Sequence, residues 1–514
     1  MFEELQPGEK KVRHGPLKKG FVMAVSWFGS AIFVGTLMLG ALIYHLKSVI
    51  SGKEKLIQPI GEKQAYPEPE SLSPVKSLRY CALQLNLDLE EYKITTEDGY
   101  ILTLHRLIDP KETAADRQSR RPILLQHGLL SCSGSYLSSG YSSLSYFFLK
   151  KGYDVWIGNN RAWFEPQHVF YENVWHNELY WDWDVREMAY YDLPCIINNI
   201  LSHKPNHDQL TLIGHSQGCT QTYLMLKNGN LKEMHRKVNL FVQLAPAVFP
   251  GPLFHERAFI KFMHNRSRFM FQCIFGCCCF LRNLGRFRAY FYSFKFYRFL
   301  TYIMLKYLFD WNINNWNKNK MVLHLNFIHN VSFVSTKLMN WWLSEWVQEG
   351  FSNELLPKEA YDNDDHYAAI PQNANNVPPK HAKSFFPFTE SWFTSGKDDV
   401  VVPFLVFTAA EDNLVDGRRL LSHLRNYETK AYKEGVNMEL HEVPKYNHLD
   451  IIWADDAIEV VGNTVADRLS KHFAKESSQE VAVDSLVSEK QMPSIEEPVD
   501  PINAKVPREE IAVH

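Results

Sequence analysis

The chain opens polar, turns apolar, and turns polar again before any regular alternation sets in. From Gly20 to Leu46 there are 27 residues without a Lys, Arg, Asp or Glu. A helix rises ~1.5 Å per residue and needs about 20 residues to cross a ~30 Å hydrocarbon layer, so this run predicts a transmembrane helix with room for tilt. Trp27 and Tyr44 stand where interfacial aromatics sit. A cleaved signal peptide is the alternative, but its apolar region is shorter, ~7–15 residues. A buried core helix fits less well, because no polar face interrupts the run. Lys10, Lys11, Arg13, Lys18 and Lys19 precede it and Lys47, Lys53 and Lys55 follow, a bias toward an N-terminus in the cytoplasm.

Beyond the apolar run, Pro59, Pro67, Pro69 and Pro74 stiffen a linker. Short apolar runs then alternate with helical patterns. Strands are predicted at Pro122–Gln126, Tyr153–Ile157, Leu210–Ile213, Leu240–Leu244, Phe404–Thr408 and Met438–Val443. Helices are predicted at Thr220–Leu226, Tyr191–Leu201 and Ala454–Phe473. Such alternation implies a mostly parallel sheet covered on both faces. After residue 474 the chain is acidic and Ser/Pro-containing, and its few apolar residues cannot offset ordering entropy. The expected organisation is a cytoplasmic segment at 1–19, an anchor at 20–46, a linker at 47–84, a catalytic domain at 85–474 and a disordered acidic tail at 475–514.

Composition narrows the class. Hydrophobic residues make up 45% and charged residues 22%, as in a globular enzyme. Lys+Arg is 55 and Asp+Glu 58, so no overall basic balance points to nucleic acid. Eight cysteines in 514 residues are too few for a disulfide scaffold, and none has the spacing of a zinc site.

The chemistry begins at Gly214-His215-Ser216-Gln217-Gly218, between a predicted strand and a predicted helix. The glycines allow a sharp turn that lifts the Ser216 hydroxyl at the strand's carboxyl end. The following helix points its positive end at a developing oxyanion. An ordinary glycine turn with a solvated serine is the bland alternative. A serine nucleophile needs a base, and the base needs an acid to hold its tautomer; on this framework the order is Ser, Asp or Glu, His. Asp412 follows the Phe404–Thr408 run and His448 follows Met438–Val443. Asp416 is the alternative acid, with Asp412 then a helix N-cap. In Gln126-His127-Gly128-Leu129-Leu130, Gly128 permits close approach and the Leu129 N–H becomes an oxyanion donor beside that of Gln217.

The stretches Glu97–Leu102, Gln126–Leu130, Gly152–Asn159, Tyr191–Pro194, Gly214–Gly218 and Tyr446–Asp450 with Trp453 resemble the acid lipase family, the gastric and lysosomal lipases, in the family's order from Leu85 to Leu469. An anchor ahead of such a domain resembles the fungal membrane-anchored steryl ester hydrolases. The resemblance implies an α/β-hydrolase fold with a helical cap, here about residues 250–400. It implies hydrolysis of steryl esters, or of triacylglycerol, without cofactor or metal. It assigns Ser216 as nucleophile, Asp412 as acid, His448 as base, and Leu129 and Gln217 as oxyanion donors. It also implies a plasma-membrane or a lipid-droplet and endoplasmic-reticulum location. Two departures stand out: Ala409-Ala410 where the family has glycines, and a longer polar insertion at about Ser352–Asp399.

The cap adds its own signal. From Arg257 through Phe309 there are ten Lys/Arg, no Asp or Glu, and 17 Phe or Tyr. Such a block fits an anionic lipid interface. Basic residues interleaved with aromatics also resemble nucleic-acid binding, but the block falls where a lid belongs; a packed aromatic cap is the plain alternative. Cys273, Cys277, Cys278 and Cys279 in this block are candidates for acylation, a disulfide or buried thiols. Asn265 and Asn330 head glycosylation sequons. The expected partners are a neutral lipid and a membrane or droplet surface. A catalytically inactive lipid-binding tether and an acyltransferase are the competing classes.

Overall fold

The computed structural model describes residues 14–53, 74–283, 295–311, 313–316, 332–347, 349–361, 384–393, 396 and 399–474. The expected N-terminal segment (in part), most of the linker, Asn330 and the 475–514 tail lie outside the described residues.

Among the described residues eight strands form one sheet: β1 (Asp88–Thr95), β2 (Ile101–Ile108), β3 (Pro122–Gln126), β4 (Asp154–Gly158), β5 (Leu210–His215), β6 (Val238–Leu244), β7 (Phe404–Ala409) and β8 (Met438–Val443). Their order is β1-β2-β4-β3-β5-β6-β7-β8. β1 pairs β2 and β2 pairs β4 antiparallel, and every pairing from β4 through β8 is parallel. This is an α/β-hydrolase fold. Every residue of β3, β4, β5, β6 and β7 is buried, as a parallel sheet covered on both faces requires.

All six predicted strands are present, with ends moved by up to two residues. β1 and β2 come in addition. β1 is a polar edge strand in which Ile94 is the one buried side chain. β2 buries Arg106, which is neutralised by a two-pronged hydrogen bond to Asp154 on β4 at 2.8 and 2.9 Å.

The apolar N-terminal run is a single helix, α1 (Pro16–Ile50), with Pro16 in its first turn, where a missing N–H costs nothing. Helix α2 (Gln217–Lys227) follows β5 directly and is buried from Gln217 to Leu226. Between β6 and β7 the chain builds a helical cap. It contains α3 (Arg268–Phe275), α4 (Lys295–Phe309) and α5 (Thr336–Leu343). Lys337 on α5 ties the cap to the body through Asp182 at 3.0 Å and Glu187 at 3.6 Å. Helix α6 (Gly417–Asn426) lies between β7 and β8.

Part of the expected polar insertion is core. Phe385, Phe386, Phe388, Trp392 and Phe393 are buried, and the Trp392 indole stacks on the His423 ring at 3.6 Å. All eight cysteines are free thiols, with Cys278 and Cys279 buried and Cys273 and Cys277 half-buried.

Candidate active site

The strand-to-helix turn after β5 forces Ser216 into φ 53°, ψ −116°. A left-handed backbone at a non-glycine residue costs ~1–3 kcal/mol and persists only where neighbours over-determine it. Here they do. The Ser216 N–H donates to the Leu244 carbonyl at 3.0 Å, and its own carbonyl accepts from Cys219 at 2.9 Å. Ser216 is 7% exposed, and Gln217 begins α2 at once.

Gly128 crosses close beside this turn. A Cβ built on it would stand 2.9 Å from Ser216 Cβ and 3.2 Å from His215 Nδ1. Only a glycine lets the β3 loop approach so near; Leu129, next in the chain, is half-buried. The side chain of Gln217 is held from the cap: its Oε1 accepts from Trp342 Nε1 on α5 at 2.9 Å.

Two further side chains converge at the carboxyl ends of β7 and β8. His448 Nδ1–H donates to Asp412 Oδ2 at 2.6 Å, with the two side chains 3% and 1% exposed. The other Asp412 oxygen accepts from the N–H groups of Leu414 at 2.9 Å and Val415 at 3.2 Å, which fixes the carboxylate's direction. Asp416 has a different occupation. It caps α6, accepting from the Arg419 N–H at 2.9 Å. The His448 loop is joined to the serine turn through His215, whose Nε2 donates to the His448 carbonyl at 3.1 Å. The His215 and His448 rings lie 5.0 Å apart.

Burial leaves two of the histidines neutral. The His215 ring is pushed down to about 3 by burial and by the neighbouring His448. Burial pushes His127 down to about 4, against the opposing pull of the Gly128 carbonyl that it contacts at 2.8 Å.

A family model described as a partial alpha/beta-hydrolase lipase region matches residues 78–140. Sterol esterase 2 of Saccharomyces cerevisiae is 33% identical over 418 residues, covering 78% of this chain and 73% of that protein. The chain belongs to the acid lipase family. Gastric triacylglycerol lipase of Homo sapiens is 28% identical over 395 residues, covering 74% of this chain and 88% of that one.

This member of the family carries site contacts that its sequence does not announce. From the cap, Trp311 lies nearly parallel to the His448 ring, at 9° and 5.8 Å between centroids. The next residues reach the His448 loop itself. Asp450 is buried and accepts from Trp316 Nε1 at 2.7 Å, Asn315 Nδ2 at 2.9 Å and the Asn447 N–H at 2.8 Å. Burial raises the Asp450 carboxyl, and these donors oppose that by stabilising its charge. The only sequence signal was the placement of Asp450 two residues after His448. Among the described residues, His14, Glu178 and Cys277 have ligand atoms close enough together to share a metal ion; none of them belongs to the Ser216 turn or the His448 loop.

Proposed function

We propose that this acid lipase is a membrane-attached serine hydrolase of neutral lipid esters, with steryl esters as the leading substrate. The observation that carries the reading is the 2.6 Å pair of His448 and Asp412, set on the loop that His215 ties to the strained Ser216 turn. In this scheme Asp412 holds the Nδ1–H tautomer of His448, and Nε2 is left free to act as base. His448 takes the proton of Ser216, which attacks the ester carbonyl. The N–H groups of Leu129 and Gln217 receive the oxyanion. The sterol leaves with the proton from His448, and water then releases the fatty acid by the same route.

The preference for steryl esters rests on the sterol esterase relative. Triacylglycerol is the second reading, favoured by the gastric lipase relative. Trp311 lies over His448 and Ser216 is buried, so a bulky ester reaches the hydroxyl only once this cap segment moves aside. Attachment through α1 is supported by its packing. Phe33 meets Phe275 edge-on at 4.9 Å and Ser30 Oγ donates to the Ile274 carbonyl at 2.7 Å. Cleavage of α1 as a signal peptide would strip the cap of a packed neighbour.

The test is hydrolysis of labelled steryl oleate and triolein by membranes holding the wild type or Ser216→Ala, with fluorophosphonate labelling alongside. The expected result is steryl ester cleavage and labelling in the wild type alone. Equal rates for the two proteins, or an unlabelled Ser216, would replace the reading with the inactive tether. Transfer to an added alcohol outrunning hydrolysis would make the protein an acyltransferase.

A further inference from the structure

Helix α1 is long enough to cross a bilayer, yet its contacts describe a helix lying along the protein. At its start, His14 Nδ1 and its backbone N–H both meet Glu178 Oε2 at 3.1 Å; Glu178 belongs to the catalytic body, between β4 and β5. One turn on, Lys18 Nζ stands 6.0 Å from the Phe269 ring of α3. In the middle, a Cβ on Gly29 would meet the Cys273 carbonyl oxygen at 2.9 Å, and Phe33 packs on Phe275 and Phe262. Near its end, a Cβ on Gly40 would meet the Tyr307 hydroxyl of α4 at 2.9 Å, and the His45 ring packs against Phe299 at 5.4 Å.

These contacts run from residue 14 to residue 45, and the helical part from Pro16 on is about 44 Å at ~1.5 Å per residue. A crossing helix passes about 30 Å of hydrocarbon, with the body it carries at one end. Here one body touches both ends. The seam is a single stripe: Val22, Ser26, Ser30, Ala41 and His45 are buried. The opposite stripe is exposed and uncharged. It includes Phe21, Phe28, Ile32, Leu39, Ile43 and Leu46. On the cap beside α1, Phe269 and Met270 of α3, and Phe262 just before it, are exposed too. Exposed lysines, Lys18 and Lys47, bracket the stripe, placed for the phosphates of one leaflet rather than two.

We propose that α1 lies in the plane of a single phospholipid leaflet. The leaflet receives its outer face together with the exposed cap aromatics, and both ends of α1 stay on the side of the catalytic body. The inference rests on the reading that α1 is retained and membrane-attached, and it is independent of the ester chemistry. It gives the cap a lipid-facing position, and it removes the need for water beyond the lipid, which a crossing helix has and a phospholipid monolayer over oil cannot supply.

The test uses the full chain with one epitope ahead of Met1 and another after His514, in sealed microsomes treated with protease. Both epitopes are expected to be cut together or protected together. Triolein droplets coated with phospholipid are then added, and the intact chain is expected to transfer to them. One epitope cut and the other protected would overturn the proposal in favour of a crossing helix. Matched epitopes with release by alkaline carbonate, and no transfer to droplets, would also overturn it, making α1 a buried part of the cap. Steryl oleate hydrolysis by the same microsomes reports on the ester chemistry separately, so failure of one does not imitate failure of the other.

Discussion

Gly128→Ala isolates one feature of the candidate site, the closeness of the β3 loop to the Ser216 turn. Gly128 does not occupy the left-handed region, so alanine meets no backbone penalty and the whole effect is steric. Its Cβ would lie 2.9 Å from Ser216 Cβ and 3.2 Å from both His215 Nδ1 and the His215 carbonyl oxygen. Carbon atoms rest ~3.5–4.0 Å apart, so the two loops must separate by about 0.6–1 Å. An oxyanion donor displaced by about 0.7 Å passes from a good hydrogen bond to none. Losing one such donor costs ~10²–10³ in kcat, about 3–4 kcal/mol of transition-state stabilisation. Overpacking adds a stability cost of ~1–3 kcal/mol, which leaves a folded protein to assay. The assay is steady-state hydrolysis of a short soluble ester, which needs no membrane delivery, with Ser216→Ala as the zero. Because the donor acts on the transition state, kcat falls while KM changes by about threefold or less. A variant with the wild-type melting temperature and kcat within about threefold of wild type would refute the placement of Leu129 as an oxyanion donor.

Asp450→Asn puts an amide where Trp316, Asn315 and the Asn447 N–H all donate. It is expected to cost ~1–3 kcal/mol in urea unfolding and to lower kcat more than it raises KM, because the His448 loop loosens. His127 is held neutral when folded, at about 4, against ~6.5 when unfolded, so its contribution is complete above pH 6.5 and is lost as pH falls toward 4. Between pH 7 and pH 4, His127→Gln is therefore expected to lose about 3 kcal/mol less unfolding free energy than the wild type; equal losses would show that the ring is already charged in the folded protein. Lys337→Met removes the cation beside buried Asp184 and Glu187. Thermal unfolding should register a loss below the ~3–5 kcal/mol of a wholly uncompensated buried charge, because Arg186 still pairs with Asp184 at 2.6 Å.

The elements legible in the sequence were those whose residues carry their own reason. β3 and β8 match their predicted limits because short apolar runs between turn residues have few alternatives. The Ser216 turn was legible because a sharp strand-to-helix reversal demands glycines at fixed offsets. β1 was not, since an edge strand reading Asp88–Thr95 has almost no buried face to generate alternation. β2 was obscured by Arg106, whose burial makes sense only once Asp154 arrives from 48 residues away. Residues 385–393 were absorbed into a polar stretch, although their aromatics fill the space around Tyr223. Composition averages over a window, whereas burial is decided residue by residue.

The same distinction separates the parts of the site. Ser216 and Gly128 are specified by backbone geometry, which is local. Trp311, Asn315 and Trp316 act on His448 and Asp450 across more than a hundred residues, and nothing near them announces the partner. Their segment continues directly from α4, which packs on α1 through Tyr307 and Phe299. One stretch of cap therefore touches the apolar helix at one end and the histidine loop at the other. In the proposed leaflet arrangement, a change in how α1 sits would reach His448 through at most a few residues of intervening chain. Contact with α1 and cover over the histidine are properties of one segment, so neither is readable from the Gly-x-Ser-x-Gly turn by itself.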